Sequence, residues 1–273
     1  WWPEGMGARY ERWLRSLVAV ADTILCISEA VARELEEWSR DAGVAPQLAQ
    51  PQVKWFHLGA DIERSAPSRG LPGGYQKLLT ALAAAPTFLM VGTLEPRKGH
   101  AQVISGFELL WQQGHVVNLL IVGKEGWMVD ALMERIDTHA LLGKHLFWMS
   151  SASDQCLDDL YARSDCLLAA SEGEGFGLPL IEGAQRGIPI IARDLPVFRE
   201  VAGDSAFYFN GLDAEDVSSA ICGWLSLRDQ GKAPASDVLG WLSWHESAAQ
   251  LLRALALTRD TAVRGATTQR ENT

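Results

Sequence analysis

PTFLMVGTLEPRKGH, residues 86–100, decides the fold. Its first half is a near-continuous apolar run of strand length, bounded by Pro86 and by Gly92, and it turns at once into polar and basic residues. AQVISGFELLWQQG follows, with apolar positions at helical spacing. A strand without polar alternation is a strand covered on both faces. The same unit recurs downstream. VNLLIVGK (117–124) precedes the helical MVDALMERIDTH, and HLFWMS (145–150) precedes DQCLDDLYARS. CLLAA (166–170) leads through a glycine-rich loop to PLIEGAQRG, IPIIAR (188–193) leads to VFREVAG, and AFYF (206–209) is a last short strand. Such alternation predicts an α/β, Rossmann-like, doubly wound parallel sheet with helices on both faces, assigned here to residues 75–255. Ligands of such sheets bind where the loops converge at the carboxyl ends of the strands.

Upstream the pattern is shorter. Helical spacing runs from Arg9 to Val20, Thr23–Ile27 suit a buried strand, and Ser28 stands at an N-cap position before EAVARELEEW. Residues 40–52 are loop-like, VKWFHLGAD is a second short strand, and 61–74 have the composition of an exposed linker. Residues 1–62 are therefore expected to form a small βαβ piece with a boundary near residue 65, and residues 256–273 a frayed polar tail. The opening WWPEGMGARYERWLRS has the character of a protein interior, so the expectation is a fragment of a longer polypeptide.

Composition limits the function classes. The formal net charge of −10 argues against a general polyanion binder, since nucleic-acid domains present clustered basic surface. Cys26, Cys156, Cys166 and Cys222 are scattered without a CxxC pair, which suits reduced thiols and offers no zinc site. No apolar run approaches the roughly 20 residues needed to span a bilayer. The expectation is a soluble, cytoplasmic protein. Ser171 lacks the G-x-S-x-G elbow of a serine nucleophile. The six histidines show no metal-ligand spacing; His100, beside the basic loop, fits a surface histidine at a helix start better than a ligand contact.

Two loops carry the chemistry. GTLEPRKGH (92–100) sets Arg97 and Lys98 at a carboxyl edge of the sheet, where a guanidinium fork and a point charge suit a diphosphate; a solvated loop with an incidental basic pair is the alternative. SEGEGFGLPLIEGAQRG (171–187) places Gly175 and Gly177 just before a helix start, where backbone N–H groups make an anion site. Glu174 lies in that loop and Glu182 eight positions later on the helix. Carboxylates beside a phosphate cradle suit sugar hydroxyls, which are neutral donors; plain surface glutamates are the alternative.

In combination these motifs resemble the family 4 retaining glycosyltransferases, GT-B enzymes that use nucleotide sugars. EGFGLPLIE resembles their E-x7-E motif, and GTLEPRKG the phosphate loop after the first strand of their C-terminal domain. VNLLIVGKEGW resembles the strand and loop near the nucleotide base, which brings in Lys124 and, as a base-stacking or packing residue, Trp127. IPIIARDLPVFREVAGDSAFYF, WLSWHESAAQLL, ADTILCISEAVARELEEW and VKWFHLGADIE keep the family's order, so the likeness spans roughly residues 15–255.

The resemblance implies that Arg97 and Lys98 hold the diphosphate and neutralise the departing charge. Glu174 would bind hydroxyls of the donor sugar and Glu182 those of the ribose. Gly92, Thr93 and the backbone at Phe176, Gly177 and Leu178 would touch the donor. It further implies retention of anomeric configuration, no metal or other cofactor, and a hexose donor, with GDP-mannose favoured. The product would be a surface polysaccharide or lipopolysaccharide. The partners implied are the nucleotide sugar and a glycan or lipid-linked acceptor held by an N-terminal domain of which residues 1–62 are the tail. That domain would also carry any peripheral association with the inner face of the membrane. Two departures stand out: Thr93 replaces an arginine common in relatives, and most of the N-terminal domain is absent, so the chain alone is expected to bind donor but transfer poorly. A non-catalytic GT-B binding module and a GT-B sugar-nucleotide epimerase are the competing readings.

Overall fold

Every strand read from the sequence forms, in the order α1 (Met6–Val20), β1 (Thr23–Cys26), α2 (Glu29–Asp41), β2 (Gln52–Trp55), α3 (Tyr75–Leu82), β3 (Thr87–Val91), a 3₁₀ turn (Pro96–Lys98), α4 (His100–Gln112), β4 (Asn118–Val122), α5 (Asp130–Asp137), β5 (Leu146–Met149), α6 (Asp154–Arg163), β6 (Cys166–Ala169), α7 (Leu178–Gln185), β7 (Ile190–Arg193), α8 (Pro196–Ala202), β8 (Phe207–Phe209), α9 (Ala214–Asp229) and α10 (Trp244–Thr267). The computed structural model describes residues 3–44, 51–61 and 67–267, with side chains as far as residue 255. The chain divides after Asp61 and again after Gly240 into two units.

The larger unit holds a six-stranded parallel sheet in the order β5-β4-β3-β6-β7-β8. Counted from its own first strand this is the doubly wound order, which reverses between β3 and β6. The strands are apolar because both faces are covered: β3 and β4 are buried almost throughout, and the core beneath them joins Phe88, Ile104, Phe107, Ile121, Ile221 and Trp224. Phe88 meets the Phe107 and Trp224 rings edge-on at 5.7 and 5.5 Å. At the amino ends of the strands a buried polar latch closes the sheet. Asn118 donates to the carbonyls of Ala81, Leu82 and Ala85, and the Asp165 carboxylate accepts from the Thr87 amide at 2.8 Å.

In the smaller unit β1 and β2 pair in parallel, Thr23 opposite Gln52 through Cys26 opposite Trp55. The Ser28 hydroxyl caps α2 by accepting from Val31 N at 3.2 Å, as its position in the sequence implies. Lys54 donates to the Ala254 carbonyl and the Ser247 hydroxyl to that of His57, so α10 packs with these strands.

The structure departs from the sequence reading at some segment bounds. Residues 241–255, assigned to the Rossmann-like domain, cluster with residues 4–61 instead. The supposed polar tail from 256 continues α10 to Thr267. Of the expected exposed linker over 61–74, residues 62–66 lie outside the described residues and 67–74 are exposed; Ser68 binds the Asp154 carboxylate through both N and Oγ at 2.7 Å, and Ser153 Oγ donates to the Gly70 carbonyl. The loop-like stretch 40–52 begins as the end of α2, and residues 45–50 of it are outside the described residues. All four cysteines are unpaired. No described helix is long and apolar enough to cross a membrane.

Candidate functional site

The two motif loops leave β3 and β6, the strands on either side of the reversal in sheet order. The β3 loop is locked to its neighbour after β4. Gly92 N donates to Val122 O, Leu94 N to Lys124 O, and Gly126 N to Leu94 O. The backbones touch so closely that a Cβ on Gly123 would stand 1.8 Å from the Gly92 carbonyl oxygen. Pro96 then begins the 3₁₀ turn that presents Arg97 and Lys98. On the β6 side, Gly177 caps α7 at φ 100°, left-handed backbone that favours glycine.

Glu174 is where the two loops meet. Lys98 Nζ forms an ion pair with Glu174 Oε1, and Arg97 Nη1 approaches Oε2 at 3.2 Å. The Ser171 hydroxyl donates to Oε1 at 2.9 Å. Arg97 also reaches Glu95 Oε2 at 2.9 Å and the Gly173 carbonyl at 2.9 Å. Burial pushes the Glu174 carboxyl up, but Lys98, Arg97 and the Ser171 hydrogen bond outweigh it and leave the group below the usual range. The site therefore holds an ionised carboxylate between two cations; side-chain exposure is 12% for Glu174, 15% for Lys98 and 30% for Arg97.

Beside this pair opens a small cleft, lined by Lys98, His100, Ser171, Glu174, Gly177 and Phe198 among others. His100 is not the surface residue that the sequence suggests. It is 2% exposed, its Nδ1 has no hydrogen-bond partner, and burial with the nearby Lys98 lowers its pKa to about 4. A neutral imidazole thus lines the cleft, its buried Nδ1 without a hydrogen-bond partner among the described residues.

The remaining residues singled out from the sequence are spread along the same edge. Gly92 shapes the β3 turn, and Phe176 is a buried side chain ahead of the Gly177 and Leu178 backbone. Thr93, Lys124 and Glu182 lie outside the lining of the cleft. Thr93 and Lys124 are exposed, on loops joined by backbone hydrogen bonds. Glu182, one turn into α7, accepts from the buried Tyr161 hydroxyl at 2.8 Å. Arg186 stacks over the Tyr161 ring and pairs with Asp158 at 2.6 Å. Trp127 is exposed in the loop after β4, next to Met128, whose φ of 55° is the one positive value among described non-glycine residues. Sequence reasoning gave no role to Glu95, Ser171 or Arg193, although they stand in the quoted stretches, nor to Tyr161. Glu95, two residues before Arg97, and Ser171, three before Glu174, are close enough in sequence to their partners for the pairing to be suspected.

This geometry gathers two cations, a carboxylate and a glycine-capped helix start at the switch point of a doubly wound sheet. Residues 81–235, more than half of the chain, match the family model described as Glycosyl transferases group 1, and the chain belongs to that family. Serotype-specific mannosyltransferase WbdA of Escherichia coli is 48% identical over 259 residues, which is 94% of this chain but 32% of WbdA. O-antigen chain mannosyltransferase RfbU of Salmonella typhimurium is 32% identical over 135 residues, 49% of this chain and 37% of RfbU. The chain thus spans about a third of the length of these curated relatives. Among solved structures, sucrose-phosphate synthase from Thermosynechococcus elongatus superposes with a TM-score of 0.68 at 21% identity, over 95% of this chain and 65% of its own. Anabaena HepE, solved with UDP and glucose, gives 0.68 at 17% identity over 91% and 67%. At these identities the likeness establishes the fold, that of the GT-B glycosyltransferases.

Proposed function

We propose that the six-stranded unit binds the nucleoside diphosphate end of a sugar nucleotide, and that the protein containing it transfers a hexose to a growing glycan with retention of configuration. GDP-mannose is the donor proposed, and a surface polysaccharide or lipopolysaccharide the product; both rest on the family and on the mannosyltransferase names of its relatives. The observation that carries the reading is the Lys98–Glu174–Arg97 cluster beside the α7 N-terminus. On donor binding the two cations turn to the diphosphate oxygens, and Glu174 is released to accept hydrogen bonds from sugar hydroxyls. Charge that develops on the departing diphosphate meets cations already in place, which is where electrostatic catalysis gains most. Glu182, held by Tyr161, takes the ribose hydroxyls. The proposal needs no metal ion. The acceptor, glycan or lipid-linked, and any contact with the inner face of the membrane belong to parts of the protein beyond this chain.

Calorimetric titration with GDP, UDP and ADP tests the reading, first on this chain and then on the full-length protein. Selective binding of GDP, weakened at least tenfold in a Lys98→Ala, Glu182→Ala variant, is the expected result. Absence of binding to all three at millimolar concentration in the full-length protein overturns it.

A further inference from the structure

A second guanidinium lies on the other side of the glutamate loop. Arg193, the last residue of β7, is 5% exposed, and its hydrogen bonds all end on neutral oxygens. Nε donates to the carbonyls of Ala170 at 3.2 Å and Ser171 at 3.1 Å, and Nη2 donates to Ala170 again at 3.0 Å. Nη1 donates to the Gly211 carbonyl, and Nη2 also to Gln102 Oε1. Gln102 in turn donates to the Asp213 carbonyl at 2.8 Å. Burial works against the Arg193 charge, Glu172 and Asp216 nearby support it, and the guanidinium sits over the Phe209 ring at 4.9 Å.

Its acceptors suggest what the charge is for. Ala170 and Ser171 are the first two residues after β6, and the Ser171 hydroxyl is the one that donates to Glu174. On the opposite side Arg97 donates to the Gly173 carbonyl, and its own carbonyl accepts from Glu172 N at 2.7 Å. The backbone from 170 to 174 is thus gripped from two sides, and a chain of two contacts runs from Arg193 through Ser171 to the Glu174 carboxylate. We propose that Arg193 is a positioning residue for Glu174: it fixes the Ser171 backbone, and Ser171 fixes the orientation in which the carboxylate meets the donor sugar. The inference rests on the reading of Glu174 as a donor-sugar ligand. Arg193 is not among the residues that line the cleft, so it governs turnover and leaves the grip on the diphosphate to Arg97 and Lys98.

The test uses the full-length protein, with GDP and GDP-mannose as probes and Arg193→Met, Ser171→Ala and Glu174→Gln as variants. Misplacement of a reacting group by about 1 Å can cost on the order of 100-fold in rate. Arg193→Met is expected to lower kcat by about 10- to 100-fold, with the Kd for GDP within about twofold of wild type and KM little changed. In a Glu174→Gln background the same substitution is expected to cost about twofold or less, because the group it positions is already gone. Ser171→Ala, which removes one hydroxyl, is expected to reproduce the kcat loss in part. An unchanged kcat in Ser171→Ala breaks the proposed path even if Arg193→Met does not fold. An equal loss from Arg193→Met with and without Glu174 makes Arg193 merely structural. A wild type that binds no GDP, UDP or ADP brings down the donor-site reading itself, an outcome distinct from either of these.

Discussion

The Lys98 ammonium rests on the Glu174 carboxylate, 76 positions away in the chain, and Arg97 closes on the same carboxylate from the other oxygen. The groups suited to grip an anion are therefore already engaged with one supplied by the protein. An incoming diphosphate competes with Glu174 for the same cations, and that competition sets the sign of the first prediction.

Glu174→Gln removes the internal competitor while keeping the shape. Diphosphate affinity is expected to rise by about threefold or more, since a neighbouring negative charge is lost. Turnover is expected to fall on the order of 100-fold, because the carboxylate no longer binds the sugar. Weaker diphosphate binding in this variant, read by calorimetry, contradicts the arrangement described.

Tyr161 and Glu182 form the second contact open to test. Tyr161→Phe leaves the ring in the core and removes only the hydroxyl that donates to Glu182. A stability loss of about 1 kcal/mol is expected. Glu182→Gln should erase most of the preference for GDP over 2′,3′-dideoxy-GDP shown by the wild type, and Tyr161→Phe should reduce it in part. A wild type with no such preference removes the ribose role from Glu182.

His100 predicts a pH dependence. Its pKa in the fold, about 4, lies below the ordinary 6.5, through burial first and the Lys98 charge second. As pH falls the unfolded chain takes up this proton before the folded one does. The stability is complete above pH 6.5 and drains away toward pH 4, by about 3 kcal/mol for this group. His100→Gln, which cannot titrate, should show a smaller drop in urea midpoint between pH 7 and 4.5 than the wild type. Equal drops place the acid sensitivity elsewhere.

Gly123→Ala tests the lock between the β3 and β4 loops. The added carbon would overlap the Gly92 carbonyl, and neither backbone can yield without breaking the hydrogen bonds of Gly92 and Leu94. A loss of about 3 kcal/mol or more is expected from thermal or urea unfolding. A variant of wild-type stability shows that the loops are free to part.

The sheet was legible because its signal is local. Each strand from β3 to β7 is a short apolar run that soon gives way to glycine, serine or a charged residue, and the two loops with ligand chemistry follow β3 and β6 directly. α9 was not, since Ser218, Ser219, Cys222 and Gly223 dilute its helical character; it is held by Val217, Ile221 and Trp224 in the core. The site divides in the same way. Arg97, Lys98 and Glu174 announce themselves by type and spacing, whereas Arg193 looks like a strand end and Tyr161 like an ordinary helix aromatic. Their roles depend on contacts 21 to 23 positions distant in sequence, which no local pattern encodes. His100 was misjudged for a related reason: a polar residue at a helix start is normally solvated, and only the crowding of strand ends at this edge buries it.

The return of α10 to the strands of the first unit has a consequence for biosynthesis. The chain leaves that unit at Asp61 and comes back at Trp241, so the ribosome delivers the whole six-stranded unit before its neighbour can be finished. Lys54 finds the Ala254 carbonyl only after 200 more residues have been made, a wait of about 10 to 40 s at ordinary elongation rates. For that interval the contacts that Lys54 and His57 make with α10 in the finished unit are missing.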